Sequence, residues 1–183
     1  MTEHGKKTII VNLYGGPGTG KSTGAAYIFS RLKMLGIDAE YAAEYAKDKV
    51  WEEDRTVFDC QAYIFGKQAF RIYRLFGKVD VIVTDSPLLM SIVYGEPYLK
   101  GAVIGEYNRY GRYGDANCNF FLRRKKPYNA NGRHQGEADA KSLDEKIETM
   151  LKETGVPYKE YDATEDGYNA IVLEIKRLLE ERT

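Results

Sequence analysis

The stretch Gly15-Gly16-Pro17-Gly18-Thr19-Gly20-Lys21-Ser22-Thr23 constrains the fold of this chain more than any other. It follows the apolar run Thr8-Ile9-Ile10-Val11-Asn12-Leu13-Tyr14 and precedes an amphipathic stretch over residues 23–35. A strand feeding a glycine-rich turn that opens a helix is the setting in which G-x-x-x-x-G-K-[ST] works as a phosphate-binding loop, or P-loop. Glycines let the backbone curl until successive N–H groups point inward, and the helix N-terminus adds partial positive charge. Gly16, Gly18, Thr19, Gly20, Lys21, Ser22 and Thr23 are therefore the candidate nucleotide-binding residues. Lys21 is placed to reach the β- and γ-phosphates, and the Ser22 hydroxyl to ligate Mg²⁺. The pattern implies that a nucleoside triphosphate, ATP in our reading, binds here.

A chain of 183 residues fits one α/β domain, taken here as residues 1–183, with length enough for a sizeable core. Its 27 basic and 27 acidic side chains cancel, so no global field favours a polyanion such as DNA, and a nucleic-acid role would have to rest on a local patch. Cys60 and Cys118 lack the spacing of a zinc site or a disulfide framework and read as small buried or half-buried hydrophobes. The polar start Met1-Thr2-Glu3-His4-Gly5-Lys6-Lys7 has no signal-peptide core, and no apolar run reaches membrane-spanning length. The expected setting is the cytoplasm, with no membrane partner.

Strands are expected over residues 8–14, 37–43, 79–85, 119–122 and 158–162. Helices are expected over 21–35, 57–76, 88–94, 101–113, 142–153 and 166–181. In the last of these Ile171, Leu173, Ile175, Leu178 and Leu179 form the apolar face. Strands alternating with helices predict a parallel sheet of about five strands covered on both faces, the P-loop NTPase type of α/β fold. Residues 128–136, rich in Asn, Gly and basic side chains, read as a mobile loop inside a basic lid region of about 123–141.

Three further features bear on chemistry. Asp85 ends an apolar strand, where a carboxylate can hold Mg²⁺ together with the P-loop hydroxyl; a turn or helix-cap role is the competing reading. Glu44 ends the second strand and is read equally as a base that accepts a proton from a substrate hydroxyl and as a solvated acid at a helix start. The cluster Arg123-Arg124-Lys125-Lys126, with Arg133 and His134 beyond it, suits a lid that brings cationic groups to a transferring phosphoryl. Arg123 and Arg124 are candidates for the nucleotide, and Gln68 and Arg71, on the long middle helix, for the acceptor.

With these residues in view, the chain resembles the P-loop kinases related to the ribosylnicotinamide kinase domain. The resemblance rests on Gly15 to Thr23, Glu44-Tyr45-Ala46, Thr84-Asp85-Ser86, and the segment from Asn131-Gly132-Arg133 to Gly155-Val156-Pro157-Tyr158. It covers nearly the whole chain. Small phage-encoded proteins of this type are commonly taken to be nucleoside or nucleotide kinases. The resemblance implies a phosphotransferase using ATP and Mg²⁺, with Lys21, Glu44, Asp85 and Arg133 as its catalytic group. Many such kinases have Asp-Arg or Glu-Arg after the third strand, whereas here Ser86-Pro87 follows Asp85, which leaves the acceptor's identity open. The adenylyltransferase domain that accompanies some ribosylnicotinamide kinases is not part of this sequence.

The expected activity is phosphorylation of a nucleoside or (deoxy)nucleoside monophosphate by a monomer or homodimer. A kinase acting on a nucleic-acid end or a modified base is the second reading, with residues 123–126 as the phosphate-contacting patch and steep salt dependence as its mark. A P-loop ATPase or switch is the third, marked by ATP turnover that no acceptor accelerates.

Overall fold

The structure, a computed structural model, describes residues 6–53, 56–111, 116–125 and 137–182. Five strands form one parallel sheet among these residues: β1 (Ile9–Tyr14), β2 (Ala39–Ala42), β3 (Val81–Thr84), β4 (Ala116–Arg123) and β5 (Lys159–Asp162), in the order β2-β3-β1-β4-β5. Seven helices accompany them: α1 (Lys21–Met34), α2 (Tyr45–Trp51), α3 (Gln61–Tyr73), α4 (Met90–Tyr94), α5 (Lys100–Gly111), α6 (Glu137–Glu153) and α7 (Glu165–Glu180). The expected α/β architecture is the observed one.

β1 is central, pairing with β3 through Ile9↔Val81 and Asn12↔Thr84 and with β4 through Ile9↔Ala116 and Tyr14↔Phe121. All six of its residues are buried. Ile9, Val11 and Leu13 turn towards α1 and α7, where they meet Ile28, Leu32, Ile171 and Ile175. Ile10 faces the opposite layer with Ile72 and Ile82, and Tyr14 meets Val103, Phe121 and Ile147. A parallel strand buried on both faces has to be apolar along its length, as this one is in sequence.

The exception is Asn12, which is 2% exposed. Its Nδ2 donates to Asn117 Oδ1 at 3.0 Å and to Asn119 Oδ1 at 3.1 Å. Asn119 Nδ2 in turn donates to the Tyr107 hydroxyl at 2.9 Å and the Pro157 carbonyl at 3.0 Å. Each buried amide is thus satisfied, which is what makes polar groups tolerable there.

Several expectations need correction. α2 starts directly after Glu44 and was not among the expected helical spans; it has no buried residue, so no apolar period marks it. α6 begins at Glu137 instead of 142, so residues 137–141 of the anticipated lid region are helical. Its Ala, Glu and Lys content favours that extension, and Ala140 is fully buried. Leu173 is 59% exposed, because two residues along a helix from Ile171 or Ile175 leads to the opposite side. Cys60 is exposed at the start of α3, while Cys118 is half-buried against the core. No described helix is long and apolar enough to cross a membrane.

Candidate functional site

The loop between β1 and α1 curls through left-handed backbone. At Gly20, φ is +104° and a Cβ would stand 2.5 Å from the Tyr168 hydroxyl, so only glycine fits. That hydroxyl donates to the Gly20 carbonyl at 3.1 Å, which ties α7 to the loop. Thr19 is 3% exposed, and its hydroxyl donates to the Gly16 carbonyl at 2.9 Å. Lys21, the first residue of α1, turns its ammonium back over the loop, donating to the Gly15 carbonyl at 2.6 Å and the Gly16 carbonyl at 3.0 Å.

Burial lowers the Lys21 pKa, and the nearby charges of Glu44, Asp85 and Asp144 act against that lowering, while Arg124 adds to it. These residues come from the end of β2, the end of β3, α6 and the end of β4. The carboxyl ends of parallel strands meet here, the edge at which open α/β sheets bind ligands.

Glu44 is held at three successive backbone positions. Asp85 Oδ1 accepts the Glu44 N–H at 3.0 Å. Gln68 Oε1 accepts the Tyr45 N–H at 2.9 Å, and Arg71 Nη1 donates to the Ala43 carbonyl at 2.9 Å. Burial raises the Glu44 pKa; Lys21 pulls it down and Asp85 pushes it up. Asp85 is itself 2% exposed and also receives the Tyr41 hydroxyl.

Gln68 and Arg71, the candidates for the acceptor, are engaged with the segment after β2. Gln68 is 3% exposed with both ends of its amide engaged, its Nε2 reaching Thr84 Oγ1 at 3.4 Å. Arg71 spends its second nitrogen on Asp48 and lies over the Tyr45 ring, 5.3 Å from its centroid. Both residues brace the segment that carries Glu44.

The two arginines that follow β4 also part company. Arg123 makes a two-pronged pair with Glu160, at 2.8 and 2.7 Å, bonds Glu148, and covers the Phe121 ring. Its cation is thus committed to β5 and α6, away from the loop. Arg124 does reach the loop: Nη1 donates to the Pro17 carbonyl at 2.9 Å and Nη2 to Asp144 Oδ2 at 3.1 Å. Arg133, His134, Lys126 and the loop 128–136 lie outside the described residues.

Two site residues carry no sequence signal that singled them out. Tyr94, at the end of α4, is 43% exposed, and partial desolvation with the charges of Glu44 and Asp144 pushes its phenol up to about 12, so it remains a hydrogen-bond donor at neutral pH. Asp144 lies within a helix of mixed charge, where a carboxylate is normally a solvated surface group. Its contact with the Gly16 N–H, at 2.5 Å, depends on how α6 packs.

As a metal site, the Ser22 hydroxyl and the Asp85 carboxylate are hard oxygen donors of the kind Mg²⁺ accepts, and a carboxylate keeps lone pairs for a metal after accepting the Glu44 N–H and the Tyr41 hydroxyl. Among the described residues no group of three or more His, Cys, Asp or Glu is gathered to hold a metal by itself. Mg²⁺ takes few protein ligands beside phosphates and water, so this donor set fits it.

A family model described as an AAA domain matches residues 10–165. No curated protein sequence matches the chain. Among solved structures, the deoxyadenosine kinase from M. mycoides with bound dATP is similar at a TM-score of 0.51 and 19% identity, over 93% of this chain and 99% of that one. The same kinase with its products dCMP and dCDP gives a TM-score of 0.51 and 16% identity, over 94% and 100%. At such identities the likeness bears on the fold.

Proposed function

The chain belongs to the AAA-domain family matched over residues 10–165, and from that membership we propose that it is an ATP- and Mg²⁺-dependent kinase whose acceptor is a nucleoside or (deoxy)nucleoside monophosphate. The observation that carries the proposal is the meeting of Lys21 with Glu44 and Asp85 at the carboxyl edge of the sheet. A cation at a phosphate-binding loop, a carboxylate suited to a metal, and a second carboxylate of raised pKa are the parts that phosphoryl transfer to a hydroxyl uses.

The loop amides and Lys21 hold the β- and γ-phosphates. Ser22 and Asp85 hold the metal, which when bound neutralises charge on the phosphates. Glu44 orients the acceptor hydroxyl and takes its proton, and its braced backbone keeps the carboxylate in place for that step. Tyr94 offers a neutral donor on the acceptor side. Arg124, already at the loop, supplies cationic charge there, and Arg133 is assigned to the transferring phosphoryl by resemblance to lid arginines.

The likeness to a deoxyadenosine kinase supports the nucleoside-kinase class over the switch reading, because the chain matches the whole of that kinase. The resemblance to ribosylnicotinamide kinases widens the acceptors worth testing. The experiment is ADP release measured with nucleosides, nucleoside monophosphates, nicotinamide riboside and a DNA 5′-hydroxyl oligonucleotide. We expect one nucleoside or monophosphate to accelerate turnover. Acceleration by the oligonucleotide alone would move the acceptor to nucleic acid, and turnover indifferent to every acceptor would favour a switch.

A further inference from the structure

We infer that Asp144 is a positioning residue for Lys21, acting through the peptide that joins Gly15 to Gly16. The inference rests on the kinase reading, since it concerns how Lys21 is presented to phosphates.

The carbonyl of Gly15 and the N–H of Gly16 are opposite ends of one peptide unit, and that unit is planar. Lys21 Nζ holds the carbonyl end at 2.6 Å. Asp144 Oδ1 holds the N–H end at 2.5 Å. Fixing one end of a rigid plane fixes the direction of the other, so the carboxylate on α6 sets where the Gly15 carbonyl presents itself to Lys21. This plane needs an outside hold more than most, because a glycine lies on each side of it and glycine restrains backbone rotation least.

Asp144 is itself anchored. Its other oxygen accepts Arg124 Nη2 at 3.1 Å, and Arg124 Nη1 donates to the Pro17 carbonyl at 2.9 Å, so the next turn of the loop closes back on the same helix. The side chains of Arg124 and Asp144 are only 12% and 20% exposed, a setting in which charge-assisted hydrogen bonds hold geometry firmly. α6 also approaches the loop too closely for a larger residue: a Cβ at Gly16 would stand 2.7 Å from the Ala140 carbonyl and 2.8 Å from Asp144 Oδ1. α6 thus acts on the phosphate-binding loop through one carboxylate.

A carboxylate beside a phosphate site could act instead by repulsion, and the two roles have opposite signs. The test titrates the full chain and its Asp144 variants with ATP and Mg²⁺ by calorimetry, and melts each protein without nucleotide. Asp144→Ala removes the hold, and we expect ATP affinity at least about ten-fold weaker, as for loss of a hydrogen bond to a charged group. Asp144→Asn keeps an acceptor for the Gly16 N–H and should bind within about three-fold of the unaltered protein. Melting should fall by no more than about 4 °C in either variant, the shift of a modest local loss in a chain of this size. Asp144→Glu keeps the charge and displaces the oxygens, so about three-fold weakening or more is expected, and it stands in if the alanine variant does not fold.

Equal or tighter binding by Asp144→Ala, or unchanged binding by Asp144→Glu, overturns the inference and leaves the kinase reading intact. Alanine and asparagine variants that weaken alike, with matching losses in melting temperature, mark a structural role and overturn it too. An unaltered chain that does not bind ATP removes the kinase reading and this inference with it.

Discussion

Asp85 Oδ1 accepts the Glu44 N–H at 3.0 Å, so the carboxylate at the end of β3 holds the backbone of the residue that ends the second strand region. Two acidic groups that would repel across open water are instead linked through a main-chain donor, with Glu44 left half-buried and its pKa raised. Asp85 thus braces the Glu44 backbone, and under the proposed function it is also a metal ligand.

Asp85→Asn separates the two roles. The amide oxygen still accepts the Glu44 N–H, but the charge that suits Mg²⁺ is gone. Activity should drop by at least about 100-fold, while the melting temperature stays within about 4 °C of the unaltered protein. Asp85→Ala should lose both activity and stability. Kinetic assays across a Mg²⁺ series, with melts beside them, check this pair of outcomes.

Glu44 gives a pH dependence with a definite sign. Its native pKa is raised chiefly by burial, so between the unfolded and native values the native state holds a proton that the unfolded chain has released. Its contribution to stability is full below the ordinary glutamate value of about 4.3 and is lost as pH rises through the native pKa. Glu44→Gln should therefore melt higher than the unaltered protein at neutral pH and equally at low pH. The acid limb of kcat, set by Glu44 losing its proton, should lie above the ordinary glutamate range.

Gln68→Leu and Arg71→Met should lower kcat by about ten-fold with ATP affinity unchanged, because both side chains act through the Glu44 segment. Combined with Glu44→Gln, each should add little further loss, the non-additivity expected when residues act as one unit. A double-mutant cycle on kcat reads this directly. Losses that simply multiply would place Gln68 and Arg71 in contact with the acceptor.

Much of this molecule was legible from residue order. The P-loop announces itself because its chemistry needs particular residue types at fixed spacing, and β1 and β3 because strands buried on both faces must be apolar. Asp85 and Glu44 could be placed near the loop from strand ends alone. Gln68 and Arg71 were legible as residues of interest but not in what they do, since a polar side chain within a helix does not disclose which backbone it will meet. Arg123 and Arg124 are neighbours of the same type, and the strand's alternation sends one to Glu160 and the other to Pro17. Asp144 is separated from Gly16 by 128 positions, so only the packing of α6 brings them together.

The amide network beneath the sheet predicts a cost for apolar replacement. Asn119→Leu would leave the Asn12 amide with Asn117 as its one remaining acceptor of these two and would take from the Pro157 carbonyl the donor it now has in Asn119. Destabilisation of roughly 1–3 kcal/mol is expected, as for buried polar groups left unpaired. Urea unfolding measures it, with the midpoint lowered and the slope unchanged.

Phosphoryl transfer through Lys21 is read from ADP release by the unaltered protein and by Lys21→Ala, each with and without the acceptor found in the nucleoside and monophosphate panel. We expect turnover that rises with acceptor and is lost in Lys21→Ala, whose melting temperature without nucleotide remains near that of the unaltered protein. Turnover that ignores the acceptor, or a Lys21→Ala variant that keeps full activity, would contradict the kinase reading.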